Sequence, residues 1–124
     1  MSFWSDLLHD IQLGVESAAG ADAGGSPPAP VLVTGANDCG GTLTFGTGSA
    51  PGAGIMVAVT FGSAWSIPGG GTPHIVVCAG NAATAPLNLY VGQSATTGFN
   101  VRVASAPAAS QANTVYRVHW IAVG

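Results

Sequence analysis

Lysine is absent from this 124-residue chain, and arginine occurs only as Arg102 and Arg117. Without lysine, neither a P-loop nor a Schiff-base mechanism is possible. The acids are Asp6, Asp10, Glu16, Asp22 and Asp38, which bring the formal net charge to −3. A double-stranded nucleic-acid binder needs a basic footprint, and this chain does not supply one. Long apolar runs are also missing. The longest, residues 55–59 and 75–79, fall far short of the roughly 20 residues of a membrane-spanning helix. Residues 1–6 carry no Lys or Arg, so no signal peptide is read there and synthesis in the cytoplasm is the expectation. Cysteine is limited to Cys39 and Cys78, which sit in separate candidate β elements where a bridge is geometrically open; buried, reduced thiols are the preferred expectation in that compartment.

Charge as a whole is scarce, at 6% of residues against 48% hydrophobic. Disordered chains show the reverse balance. A soluble monomer usually has about 25–35% of its surface in charged residues. This surface must instead be Gly, Ala, Ser, Thr and Asn. Such a surface suits a protein whose faces are covered by copies of itself or by a larger assembly.

The chain reads as three parts. In residues 1–19, Phe3, Trp4, Leu7, Leu8, Ile11 and Val15 follow i, i+3, i+4 spacing and predict an amphipathic α-helix over 2–19. Ser2 suits its N-cap and Gly20 its stop. The face opposite the stripe carries Asp6, Asp10 and Glu16 rather than Lys or Arg, which argues against acidic lipid as the target. Phe3, Trp4, Leu7, Leu8 and Ile11 are therefore the candidate partner-docking residues. Residues 20–30, rich in Gly and Pro, read as a linker. Residues 31–124 read as an all-β domain, a β-sandwich or jelly-roll-like body. Its candidate strands are 31–34, 42–46, 55–61, 74–79, 87–91, 99–104 and 114–122. Alternation places Ile55, Val57, Val59 and Phe61 on one face and Met56, Ala58 and Thr60 on the other. In the last strand Tyr116, Val118 and Trp120 point to the core, leaving Arg117 and His119 outward.

Catalytic signatures are missing from this frame. His9, His74 and His119 share no metal-ligand spacing, and neither CxxC nor HExxH occurs. A zinc site from both cysteines and two histidines is set against the plainer reading of these as structural residues, which is preferred. There is no GxSxG elbow. Asp38 is the sole carboxylate of residues 31–124, so one domain cannot build a carboxylate pair for glycoside hydrolysis. The stretch Gly46-Thr47-Gly48-Ser49-Ala50-Pro51 fails the dinucleotide pattern at its third glycine. No catalytic, cofactor-binding or metal residue is assigned. Three residues are candidates for receptor or subunit contact. Trp65, in a loop between Gly62 and Pro68, either stacks on a sugar or plugs one end of the body. Arg102 and Arg117 are expected outward on the final two strands, read as hairpin neighbours, where like charges are unfavourable unless an acidic partner meets them.

The body has a further pattern. Asn37-Asp38-x-Gly40-Gly41-Thr42-Leu43-Thr44 precedes a Gly-rich turn and Ile55-x-Val57-x-Val59-Thr60-Phe61. Gly80-Asn81-Ala82-Ala83-Thr84-Ala85 follows a hydrophobic strand. Then come Tyr90-Val91, Thr97-Gly98-Phe99-x-Val101 and a closing Tyr116-x-Val118-x-Trp120-Ile121-Ala122-Val123-Gly124. Over roughly residues 35–124 this resembles a β-sandwich module of tailed-bacteriophage virion proteins, found in capsid decoration proteins and at the C-terminal ends of tail fibres. The resemblance implies a non-enzymatic virion part, commonly a homotrimer, made in the host cytoplasm. The expected partners are other copies of the chain and the major capsid protein or another virion protein, with no nucleic acid and no membrane. A decoration or cement protein of the head is the leading expectation, attached partly through residues 1–30. The alternative is a tail-fibre or tail-tip knob binding a host receptor, a glycan, through loop residues such as Trp65.

Overall fold

A computed structural model of the protein describes residues 15–33, 35–107 and 115–124. Among these described residues, eight strands form two antiparallel sheets of four. They are β1 (Glu16–Ala19), β2 (Val31–Leu32), β3 (Gly40–Phe45), β4 (Gly54–Thr60), β5 (His74–Ala79), β6 (Leu89–Gly92), β7 (Gly98–Val103) and β8 (Tyr116–Val123). The first sheet runs β1-β4-β7-β6 and the second β2-β3-β8-β5. β1 and β2 adjoin at one edge, and β5 and β6 at the other. The all-β reading of residues 31–124 therefore stands at the level of two antiparallel sheets packed about one core.

Strict alternation builds that core. In β8 Tyr116, Val118, Trp120 and Ala122 are buried, while Arg117, His119, Ile121 and Val123 are exposed. β7 repeats the pattern with Phe99, Val101 and Val103 inside. Leu43 and Phe45 of β3 meet them from the second sheet. Phe45 and Tyr116 are cross-strand partners with stacked rings 5.2 Å apart. Phe61 and Phe99 from the first sheet both reach Trp120 of the second, with centroids 6.3 and 5.2 Å away. Burying side chains of this size contributes about 1.5–3 kcal/mol each, so the aromatic contact is a substantial tie between the sheets.

β4 departs from simple alternation. A β-bulge lies between Ile55 and Val57, so Met56 and Val57 are both buried. The outward placement expected for Met56 is thus corrected: the extra residue turns its side chain inward and leaves Ile55 half-buried. The strand expected over 87–91 also starts later. Leu87 closes a turn of 3-10 helix (Ala85–Leu87), and the chain re-enters extended structure through Asn88 at φ 53°.

The N-terminal expectation needs the largest correction. Residues 2–14 of the expected helix lie outside the described residues. Its last residues are β1, an edge strand paired with β4 from Glu16 opposite Thr60 to Ala19 opposite Val57. Helix propensity yields here because β4 offers a row of backbone partners that a helix cannot use. Residues 20–30 are likewise no free linker. Gly20 and Asp22 N–H groups donate to the carbonyls of Met56 and Ile55, at 2.8 and 3.0 Å. The Asp22 carboxylate accepts the Ile55 N–H at 2.8 Å. Ala23 is fully buried. Gly25 and Ser49 exchange backbone hydrogen bonds, and the approach is close enough that a Cβ at Gly48 would run into the Gly25 carbonyl. The folded body therefore begins by Val15, not at residue 31.

Candidate functional site

The two outer sheet surfaces differ in character. On the first sheet, outward positions are Glu16 and Ala18 of β1, Ala58 and Thr60 of β4, Asn100 and Arg102 of β7, and Tyr90 of β6. Small and polar residues dominate. Asn100 Nδ2 donates to Gln93 Oε1 at 2.6 Å, and the Arg102 stem crosses Gly92 so closely that a Cβ there would strike its Nε. Arg102 Nε is buried without a hydrogen-bond partner among the described residues.

On the second sheet the register sets four cross-strand rows. His74 lies opposite Val123; Val76 opposite Ile121, which also faces Gly40; Cys78 opposite His119, which also faces Thr42; and Arg117 opposite Thr44, itself opposite Val31. Thr42 Oγ1 and His119 Nδ1 are 2.7 Å apart, a hydrogen bond that ties the imidazole to β3. Gly80 leaves room for the Arg117 stem and the His119 ring. Val76 is 65% exposed, Ile121 and Val31 59%, and Val123 54%. Such a face combines an apolar strip with Arg117, His119 and His74, and the strand positions that build it include no carboxylate. Large exposed apolar surface on a folded domain marks a site of interaction.

The remaining chemistry-bearing residues are dispersed. Among the described residues no three of His, Cys, Asp or Glu are grouped so as to hold a metal ion. No helix among them is long and apolar enough to cross a membrane. Cys39 and Cys78 are both free and both exposed, which corrects the expectation of buried thiols. Cys78 is outward on an edge strand, and Cys39 sits in the turn before β3. Partial burial, then the neighbouring charge of Asp38, pushes the Cys39 thiol above its ordinary pKa.

Trp65 is half-buried. Its ring meets the Phe61 edge at 6.1 Å, and its backbone N–H donates to the Thr96 carbonyl at 2.9 Å. Asp38 holds the same loop by accepting the Gly62 and Ser63 N–H groups at 2.9 and 3.2 Å. The ring thus covers the end of the aromatic core beside Gly124. Arg102 and Arg117 are not neighbours: β7 belongs to the first sheet and β8 to the second, so the like-charge pair expected between them does not exist. Phe3, Trp4, Leu7, Leu8 and Ile11 lie outside the described residues. The sequence reading missed Val76, Ile121 and Val123 as surface residues. The signal was present in residues 75–79, a run apolar on both strand faces, which is how a doubly covered strand reads.

No protein-family model, curated protein or solved structure matches the chain.

Proposed function

We propose that the chain is a non-enzymatic structural protein of a tailed-phage particle. It works as a homotrimer that decorates or cements the capsid, attached to the major capsid protein or another virion protein partly through its N-terminal segment. The observation that supports the reading is the outer face of the second sheet, where Val31, Val76, Ile121 and Val123 face outward. A surface of that kind is stable in a protein whose faces are covered in use. The charge-poor composition supports the same reading. The virion setting and the trimer number come from the resemblance of residues 35–124.

Quantifying the chain in purified particles tests the setting. A copy number on the scale of the major capsid protein supports the head. A number on the scale of tail fibres moves the protein to a receptor-binding tip, and absence from particles overturns both. Light scattering of the isolated protein tests the assembly, with a trimer mass expected and a monomer at every concentration contradicting it.

A further inference from the structure

We infer that the outer face of the second sheet is the seat for residues 2–11 of a neighbouring copy, so that copies are joined head to tail by exchanged N-terminal segments. This rests on the self-assembly proposed above and not on where in a particle the protein sits; it gives the apolar stripe of residues 2–11 to the neighbouring copy and leaves attachment to a particle to other surfaces of the chain.

The face has the form of a seat. Val76 and Ile121 are direct cross-strand partners, and His74 opposite Val123 forms the next outward row. The apolar side chains therefore make one strip across β5 and β8, with Val31 on the far side of Thr44. Arg117, His119 and His74 surround the strip with basic groups only.

Two faces of this kind stacked on each other would bring each basic group towards its own copies with no carboxylate between them, which disfavours a face-to-face pair. Residues 2–11 have the complementary chemistry. Phe3, Trp4, Leu7, Leu8 and Ile11 supply apolar side chains, and Asp6 and Asp10 supply acids without any Lys or Arg. At helical spacing the five apolar residues form one stripe. Ten helical residues extend about 15 Å, and four strands about 4.8 Å apart span about 14 Å between the outer two. The segment is therefore long enough to cross the sheet.

The same chain cannot supply the segment to its own face. It joins the body at Val15, which packs against the core at the start of β1 in the first sheet. Gln12, Leu13 and Gly14 are all that lies between, and the four steps from Ile11 to Val15 reach at most about 14 Å. Passing from the first sheet across the second to a layer packed outside it covers two layer spacings, about 20 Å. A neighbour's face carries no such limit. A contact in which one patch meets a different patch on the next copy is heterologous, and it closes into a ring when the rotation permits. Three copies closed in this way give the proposed trimer.

Cys78 lies exposed on the face and serves as the reporter. Full-length protein carrying Leu8→Cys and Cys39→Ser is oxidised mildly, separated without reductant and peptide-mapped. Disulfides between position 8 of one copy and Cys78 of another are expected, giving linked dimers and trimers. Mixing a Leu8→Cys, Cys39→Ser, Cys78→Ser form with a Cys39→Ser form should give the mixed dimer. Ile121→Glu, at an exposed position, should keep the β circular dichroism and lower the yield about tenfold or more by placing a charge under the stripe. A link from 8 to 78 within one chain overturns the exchange, as does a 78–78 link alone, which would mean face-to-face pairing. No link, or a yield indifferent to Ile121→Glu, assigns the face to a different partner. A trimer by light scattering without the 8–78 link sinks the exchange and leaves the assembly reading intact; a monomer throughout sinks both.

Discussion

Phe99 of β7 and Trp120 of β8 meet across the sandwich with ring centroids 5.2 Å apart and planes at 56°. Trp120 also contacts Phe61, the residue just after β4, so one side chain ties β7 and the end of β4 to the interior of the second sheet. Its Nε1 is buried and has no hydrogen-bond partner among the described residues. The indole therefore works by volume and ring contact. Trp120→Ala should lower the unfolding free energy by about 3–5 kcal/mol, read from urea denaturation. Trp120→Phe keeps a ring and gives up no hydrogen bond, so it should cost clearly less. Equal losses for the two variants would show that the indole N–H carries the effect.

Thr84 is fully buried and joins the loop after β5 to β8. Its Oγ1 donates to Asn81 Oδ1 at 2.6 Å and accepts the Arg117 N–H at 2.9 Å. Asn81 Nδ2 in turn donates to the Val115 carbonyl at 2.8 Å. Thr84→Val keeps the shape, leaves the Arg117 N–H without its partner, and takes one of two donors from Asn81 Oδ1, which still accepts the Thr84 backbone N–H at 3.1 Å. A loss of about 1–3 kcal/mol is expected by denaturant titration, while Thr84→Ser should retain most of the stability. Parity of Val with the parent would mean that the hydroxyl bonds do not hold the loop.

Seven of the eight described strands lie within a few residues of where alternation puts them, because each stretch carries apolar residues at period two. β1 was illegible. Glu16-Ser17-Ala18-Ala19 has no such pattern, and its extended form is dictated by the free edge of β4. The bulge at Met56 is a local register event that residue types do not announce. Which sheet a strand joins was equally hidden. β7 and β8 are consecutive in sequence yet lie in different sheets, so reading Arg102 and Arg117 as neighbours failed on topology, not on facing. Of the candidate surface, composition showed only that outward faces would carry little charge. It took the pairing of Val76 with Ile121 to locate the exposed apolar strip.

Cys39 should react late. Its thiol pKa is raised by partial burial and secondarily by Asp38, so at a given pH it holds less thiolate than an unperturbed cysteine. In a Cys78→Ser background, the alkylation rate should keep rising with pH beyond the range in which a model thiol has levelled off. Asp38→Asn removes the second cause and should move that profile to lower pH. A profile for the parent matching the model thiol would contradict the assigned environment. Both cysteines should nevertheless be modified without denaturant, since both are exposed.

Two truncations separate the N-terminal segment from the fold. Removing residues 1–14 leaves every described pairing of β4 in place, so the β circular dichroism and the unfolding midpoint of the monomer should persist. The trimer should weaken if the segments are exchanged between copies. Removing residues 1–30 is different. It deletes β1, the fully buried Ala23 and the Asp22 carboxylate that accepts the Ile55 N–H. It also strips the Gly25 partner from Ser49. β4 then becomes an edge strand with its N–H and C=O groups unpaired, a template for aggregation. The shorter form should aggregate or unfold at clearly lower denaturant than the form lacking 1–14. Equal stability of the two would return residues 16–30 to the status of a loose linker and put the start of the folded body at residue 31.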